Sequence, residues 1–517
     1  MARNNLQRAA RNAVRYAARY AEGVAAGIWL AVYALIVSTG QSFLPGYLDF
    51  GWQIIPWTIL KARPLTSVWY LHTQPPLWNL IMGVLGRLTP ISDARTLQLL
   101  QVALGVLLTW LIARILRGFG LRARWIIVLA VLVTVNPEVM RNAFEPTYEL
   151  ATAVGLALAV RALQRLCENR RPRDYVWLSI ALTAVVLTRS LYHPAVIPVV
   201  LVAVGIAFRP KISRRALLAA ALIPTVLVGG WMAKNKVLFD HATMSSWVGM
   251  NLQRSTIPIL PLADLQQLRA DGKVSKIAEI GPFGNYGLYR DAMPPCTPTH
   301  SDPALTVESH LDAAGVIIPN FNYECFLPVF DQAGEDFQAV LSAYPRVWLR
   351  GRLFSLKMTF ATSNLASDSK SPVLRRMDQG FRLLRLDVSL TESTLDWGTP
   401  LYGRFSFPFR LSLSVIALYA TLAIGALTLL ISGLRRRTRA PSAQAAVVVL
   451  VGFLSSFTVV VGAIGELGEQ ARFRSMTDPV ALAVGVVVIT RLLRRWLGGP
   501  QVVLGSSLLP AVPIHNV

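Results

Sequence analysis

The chain is poor in charge for its length. Only 15% of its 517 residues are Asp, Glu, Lys or Arg, against about a quarter in an ordinary soluble domain. It has three cysteines, Cys167, Cys296 and Cys325. No C-x-x-C pair or Cys/His cluster stands at zinc-ligand spacing. A nucleophile elbow is absent. So is a phosphate-cradling glycine loop, because GNYG at 284–287 lacks the strand–helix setting and the lysine of a nucleotide site. A structural zinc module and a nucleotide-dependent reaction therefore lack support. Cys296 and Cys325 fall in the same long loop, where a disulfide and two free thiols are both open.

What the chain has in abundance is hydrophobic residues, 53% of the total. Apolar runs of membrane-spanning length recur along it, which defines an all-α polytopic membrane protein. The net charge of +23 sits in short clusters between those runs, where orientation signals belong. A nucleic-acid binder gathers its charge on one soluble face, so no nucleic-acid partner is expected.

About ten transmembrane helices are expected, near 23–44, 96–116, 125–139, 147–166, 175–190, 194–208, 216–233, 411–432, 444–464 and 479–493. The segment 75–89 is short and opens with two prolines, which suits an interfacial or re-entrant helix. With the N-terminus cytoplasmic and 75–89 not crossing, the loops 117–124, 167–174, 209–215 and 433–441 and the tail from Arg494 all lie inside. All are rich in arginine, as the positive-inside rule requires. Only Glu22, Glu168 and Asp174 among the acids then fall inside.

The expected organisation follows. Residues 1–22 form a cytoplasmic amphipathic N-terminus with Arg3, Arg8, Arg11, Arg15 and Arg19 on the inner leaflet. Residues 23–234 form a membrane module with its first outer loop at 45–95. Residues 235–410 form an extracytoplasmic domain of mixed structure, near neutral with 17 basic and 17 acidic residues. Within it, 337–360 carries Arg346, Arg350 and Lys357 at helical spacing, which suits either a helix on the outer leaflet or one on the domain core. Residues 411–495 are the C-terminal membrane helices, and 496–517 a cytoplasmic tail.

Ionisable groups beside spans are costly and usually face a cavity. On this topology they collect at the outer face: Asp49, His72 and Gln74 in the first loop, Glu138, Arg141, Glu145 and Glu149 in NPEVMRNAFEPTYE, and Arg189 and His193 in TRSLYHP. Lys234 ends the seventh span. Glu466, Glu469, Arg472 and Arg474 lie in GELGEQARFRSMTDP. Arginine forks match phosphate oxygens, and a carboxylate beside them can take a proton from a hydroxyl. Each residue also has a plain structural reading. Asp49 can mark the membrane edge, His72 can cap the short helix, Glu145 and Glu149 can pair with Arg141, and Arg472 and Arg474 can reach lipid head groups.

An acid just after the first span and a Pro-Pro-Leu opening a juxtamembrane helix (Asp49, Pro75-Pro76-Leu77) resemble the GT-C-type, polyprenyl-phosphate-dependent glycosyltransferases. Protein O-mannosyltransferases and lipid A aminoarabinose transferases belong to that group. The resemblance extends to NAFEPTYE, TRSLYHP, SSWVGMNL at 245–252 and GEQARFR. It implies an integral enzyme of the cell membrane with Asp49 as catalytic base. It also implies a polyprenyl-phosphate sugar donor held by cations, with Arg189, Lys234, Arg472 and Arg474 as candidates, and an extracytoplasmic acceptor. The chain departs from the pattern twice. The usual acidic pair is Asp49-Phe50, and Gln74 stands where relatives have Lys or His before Pro-Pro. No cofactor is indicated by the sequence. The need for a divalent metal varies among such enzymes, and no decisive ligand set is present. A lipid-linked glycan polymerase or transporter is the alternative reading.

Overall fold

The computed structural model describes residues 20–51, 53–207, 212–312, 314–362, 369–393, 406–435, 442–467 and 470–497. The expected N-terminal amphipathic stretch (to residue 19), Glu469 and nearly all of the tail from residue 498 lie outside the described residues.

Each of the ten expected spans falls on a helix. In order these are α1 Ala21–Ser38, α2 Pro76–Leu88 (the short segment), α3 Asp93–Gly118, α4 Ala123–Thr134, α5 Glu149–Asn169, α6 Pro172–Thr188, α7 Val196–Ala207 and α8 Arg214–Phe239. After the intervening domain come α12 Leu413–Arg435, α13 Ala443–Gly465 and α14 Gln470–Trp496. Among the described residues, seven helices are long and apolar enough to cross a membrane: α1, α3, α5, α8, α12, α13 and α14. An eighth crossing is counted if α4 and Pro137–Phe144 act together, although they meet at a 61° bend. Asn136 and Pro137 cause that bend. Pro137 has no amide to continue α4, and the Asn136 side chain accepts from the Glu138 amide to start a new turn.

Local chemistry sets the other boundaries. Arg170 adopts a left-handed conformation after α5, and Pro172 opens α6 two residues later, which makes a tight hairpin of helices. Ser213 and Ser442 cap α8 and α13 with their side chains. Pro75 is extended because Pro76 follows it, and Pro76 sits at the first position of α2. Thirteen residues of helix rise about 20 Å, short of the roughly 30 Å hydrocarbon core.

The polar contacts sort into two ends. At one, Glu22 accepts from Arg117 at 2.6 Å, Arg165 meets Asp174 at 3.2 Å, and Arg491 donates to the Phe119 carbonyl. At the other, Arg141 reaches Tyr47, Asn142 reaches Ser475, and Arg385 reaches Asn136. Helices α1 and α6 thus start, and α3, α5 and α14 end, at the first of these ends, while α4 ends and α14 starts at the second.

The described residues between 240 and 412 close over the second end. They contain α9 Phe326–Ala343, α10 Pro345–Thr359 and α11 Pro372–Arg385. The helix expected over 337–360 is thus two, broken where Pro345 forces Tyr344 out of the helical region. A two-stranded sheet pairs β1 Ser309–Leu311 with β2 Ile317–Pro319. A three-stranded sheet has β5 Ser406–Ser412 between β3 Ala361–Thr362 and β4 Asp387–Ser393, all antiparallel. An aromatic core of Trp247, Phe283, Phe321, Phe326 and Phe330 fills the domain. Cys296 and Cys325 beside it form a disulfide.

In the bundle, Gly105 of α3 lies against the Trp29 indole of α1, and a Cβ there would come within 2.2 Å of the ring. Gly105→Ala is expected to push the two helices apart and to lower stability by about 1–3 kcal/mol. Thermal unfolding of the purified protein in detergent, followed by intrinsic fluorescence, measures this.

Candidate functional site

The site is built around the turn between α4 and α5. Residues 141–144 form one 3-10 turn, and Glu145 is extended before Pro146. The polar span residue Gln101 holds this turn from α3. Its side-chain amide donates to the carbonyls of Glu145 at 2.8 Å and Thr147 at 2.7 Å. Trp78 of α2 donates its indole N–H to the Pro146 carbonyl. The turn is therefore clamped from both sides, and its acids are presented in fixed positions.

Glu145 and Glu149 are both buried. Arg141 bonds Glu145 through Nε at 2.9 Å and reaches the Tyr47 hydroxyl at 3.2 Å. Burial raises the Glu145 carboxyl above the usual range, opposed by the Arg141 charge and assisted by the nearby Glu149. Burial likewise raises the Tyr47 phenol, and the Glu145 charge adds to the rise. Glu149 Oε1 accepts from Arg472 Nε at 2.6 Å, while its buried Oε2 has no partner. Arg472 also reaches Gln53 of the first loop at 3.4 Å and lies over the Tyr148 ring at 5.5 Å. The Arg189 guanidinium is sandwiched between the Tyr148 ring at 4.4 Å and the Phe473 ring at 4.6 Å. Tyr47, Arg141, Glu145, Glu149, Arg189 and Arg472 thus form one group drawn from the first loop, the α4–α5 turn, the end of α6 and the start of α14.

Asp49 sits one short turn away, in Tyr47–Phe50. Its carboxylate makes no hydrogen bond or ion pair with any described residue. Its backbone carbonyl accepts from His310 on β1 at 2.5 Å, so the domain fixes the turn without engaging the carboxylate.

The remaining expected site residues divide. Gln74 is buried, and neither atom of its amide has a partner. The Tyr148 hydroxyl, the Thr147 hydroxyl and the Trp231 indole N–H are also buried and unpartnered. Tyr148 and Trp231 share one apolar cluster with Leu71 and Trp78. Buried polar atoms left unpaired in this way are uncommon and call for a partner. Lys234 lies over the Trp231 ring at 3.7 Å and donates to the Trp69 and Leu71 carbonyls at 2.8 and 2.9 Å, so it anchors the first loop. His72 is a second anchor. Its Nε2 lies 3.1 Å from the Asn322 carbonyl and its Nδ1 2.7 Å from the Ser246 hydroxyl. A carbonyl can only accept, so Nε2 carries a proton and donates to it, and the Ser246 hydroxyl can serve Nδ1 as donor. His193 is exposed and accepts from the Ala195 amide, where it caps the start of α7. Arg474 points into the bundle toward Asp478 at 3.6 Å, away from Arg472, and Asp478 accepts from Tyr419. Among the described residues, no three His, Cys, Asp or Glu side chains gather as a set that can hold a metal ion.

Tyr47, Gln53 and Gln101 belong to the site and escaped the sequence reading. Gln101 alone carried a signal, as an amide within an otherwise apolar run.

Fold and site together define a multi-span α-helical membrane protein with a guanidinium–carboxylate group at one end, beneath a small mixed domain. The chain is similar to three solved structures from Archaeoglobus fulgidus. One is the archaeal oligosaccharyltransferase AglB in complex with an inhibitory peptide and a dolichol-phosphate. The match has a TM-score of 0.42 at 12% identity and covers 95% of this chain and 53% of that one. The second is the oligosaccharyltransferase tethered to an acceptor peptide containing the NVT sequon (TM-score 0.38, 12% identity, 92% and 50% covered). The third is its apo form (0.36, 14%, 92% and 51%). These neighbours are multi-span enzymes of the GT-C class. The chain spans about half the length of the structures it matches, and no residue role is carried across. No family model and no curated protein matches.

Burial pushes the His72 pKa down to about 3, from an ordinary value of 6.5, despite the bond to Asn322. A depressed value means that its contribution to stability is complete above pH 6.5 and is lost as pH falls toward 3. His241, raised by its bond to Asp331, contributes in the opposite sense. Denaturation midpoints of wild type and His72→Gln measured from pH 7 to 4 test this. The wild-type curve should fall more steeply.

Proposed function

We propose that the chain is an integral-membrane inverting glycosyltransferase. It moves a sugar from a polyprenyl-phosphate donor to an acceptor hydroxyl on the side of the membrane opposite its N-terminus. The observation that carries this reading is an unengaged carboxylate, Asp49, beside a guanidinium-rich group whose neighbouring buried donors lack partners. The orientation rests on the arginine-rich loops at the Glu22 end and on the Cys296–Cys325 disulfide, which suits an oxidising compartment. Residues 1–22 and 496–517 are then cytoplasmic and 235–410 extracytoplasmic.

The step is a direct displacement. The acceptor hydroxyl gives its proton to the Asp49 carboxylate. Its oxygen attacks the anomeric carbon from the face opposite the phosphate. The bond from that carbon to the phosphate oxygen breaks, and polyprenyl phosphate leaves with the bonding electrons. The anomeric configuration inverts. Arg472 and Arg189 face the leaving phosphate and stabilise its growing charge. Gln74 Nε2, the Tyr148 hydroxyl and the Trp231 N–H supply further donors to it. Glu149 and Glu145 orient Arg472 and Arg141, which keeps both guanidiniums in place before substrate arrives. Lys234 and His72 hold the loop that carries Gln74 and Asp49. His193 caps the start of α7 just after Arg189, and Arg474 sets the start of α14.

The test is transfer from labelled polyprenyl-phosphate sugars to a panel of lipid, glycan and peptide acceptors, with protein in lipid nanodiscs. Asp49→Asn is expected to lower the rate by about 10²–10⁴ while donor retention stays near wild type. Equal rates would remove Asp49 as base. A glycan acceptor used repeatedly would make the chain a polymerase.

The Arg472–Glu149 pair needs a paired design. Arg472→Gln alone strands a buried carboxylate, a change worth about 3–5 kcal/mol. The double variant Arg472→Gln/Glu149→Gln removes both charges. It is expected to recover most of the thermal stability lost by the single variant and to retain labelled donor at least tenfold less well than wild type.

A further inference from the structure

One covalent bond closes the part of the domain that holds the first loop. Cys296 and Cys325 are joined by a disulfide, and the segment between them touches the loop at two separate places. At the first, His310 of β1 donates from Nε2 to the Asp49 carbonyl at 2.5 Å, while its buried Nδ1 has no partner. At the second, Asn322 grips the residues just before Gln74. Its Oδ1 accepts the His72 amide at 2.9 Å, its Nδ2 donates to the Tyr70 carbonyl at 3.1 Å, and its own carbonyl accepts from His72 Nε2 at 3.1 Å.

The local sequence sets both contacts. Asp312 accepts the Ala314 and Val316 amides and Gly315 takes a positive φ, which turns β1 back on β2 with His310 opposite Ile318. Alternation along β1 sends His310 toward the loop and leaves Leu311 66% exposed on the other face. Asn320 fixes the return by donating to the Ala304 and Val307 carbonyls and accepting the Asn322 amide. Glu324 adds two bonds beside the disulfide, from the Thr299 and His300 amides at 2.9 and 3.1 Å. Those bonds are exposed or partly so, and water competes for them.

We propose that the disulfide is a redox latch on the first loop. Oxidised, it keeps Asn322 and His310 in place as positioning residues for Gln74 and Asp49. Reduced, it frees the segment, and a loop of short helices with little stability of their own loses two fixed points at once. The reductant is a dithiol. Its thiolate attacks Cys296 Sγ, because Cys296 is partly exposed and Cys325 is buried. The bond between the two cysteine sulfurs breaks, and Cys325 leaves as a thiolate and takes a proton. The second thiol of the reductant, as thiolate, then displaces Cys296, which leaves and is protonated in turn. The reductant ends as a cyclic disulfide. The latch itself rests on these contacts, and its effect on rate rests on the proposed transfer reaction.

The test uses the full chain with Cys167→Ser in lipid nanodiscs, so that Cys296 and Cys325 are its remaining cysteines. Oxidised protein, protein reduced with dithiothreitol and the Cys296→Ser/Cys325→Ser variant are compared by hydrogen exchange read by mass spectrometry. Reduction and the double variant should each speed exchange of the amides at 48–51 and 70–72 about tenfold, with α3 and α5 unchanged. Equal exchange in the oxidised protein and the double variant would overturn the latch, and so would faster exchange throughout α3 and α5. Transfer from a labelled polyprenyl-phosphate sugar is the second readout. His310→Leu should lower kcat about tenfold or more with donor KM nearly unchanged, while His310→Gln, whose amide still donates, should keep most of the wild-type rate. Equal rates in these two variants would overturn His310 as the donor that positions Asp49. Unchanged transfer by the double variant would overturn redox control of the reaction. Equal transfer by wild type and Asp49→Asn would instead remove the base, and the exchange measurement would still decide the latch.

Discussion

The bond between Arg472 and Glu149 decides how the two halves of the membrane bundle meet. It joins residues 323 apart in sequence. Glu149 is fully buried at the first turn of α5, where its charge is favoured by the helix N-terminus but stripped of water. An isolated buried carboxylate is not tolerated, so α14 must begin where its guanidinium can reach. That requirement sets the start of the last span against the start of the fifth and brings Phe473 onto Arg189. Tyr148 then lies beneath two guanidiniums at once. The site is the consequence of satisfying one buried charge.

The first loop completes the arrangement from the other side. It is made of short helices, Trp57–Ala62 and Pro64–Trp69 before α2, and short helices have little stability of their own. Their positions are fixed by bonds to backbone. Lys234 holds two carbonyls, Asn79 holds the amide of Ile55 and the carbonyl of Gln53, and Asn322 holds the His72 amide. Such bonds constrain the chain path without consuming the side chains that project from it. Asp49 and Gln74 keep unengaged polar atoms while the residues around them are tied down. Pre-organisation of this kind is what electrostatic stabilisation of a leaving group requires.

Much of this was readable in the sequence, and the reasons are physical. Apolar runs separated by arginine-rich loops located every helix of the bundle, because the bilayer imposes both length and charge asymmetry. The proline pair at 75–76 marked α2 as a short helix. Glu145, Glu149, Arg189 and Arg472, expected at one end because charges are costly along the spans, do lie in one group there. Side-chain direction was not readable. Arg472 and Arg474 are two apart on a helix and so point to different faces, one to Glu149 and the other to Asp478. Arg352 went unnoticed among Arg346, Arg350 and Lys357 because it lies out of phase with them, and that phase difference is why it faces the bundle. His72 and Lys234 look like substrate ligands in one dimension, and their role as anchors depends on Ser246, Asn322 and Trp69, which only folding brings near.

The proposed reaction depends on a lipid phosphate binding at Arg472 and Arg189, the two guanidiniums that share the Tyr148 ring. Photo-crosslinking with a polyprenyl phosphate that carries a diazirine beside the phosphate, followed by peptide mapping, tests it most directly. Labelling is expected within 47–79, 141–149, 189–193 and 472–473, with loss of label when unmodified polyprenyl phosphate competes. Competed label confined to the Glu22 end, at 114–124 or 165–174, would contradict it.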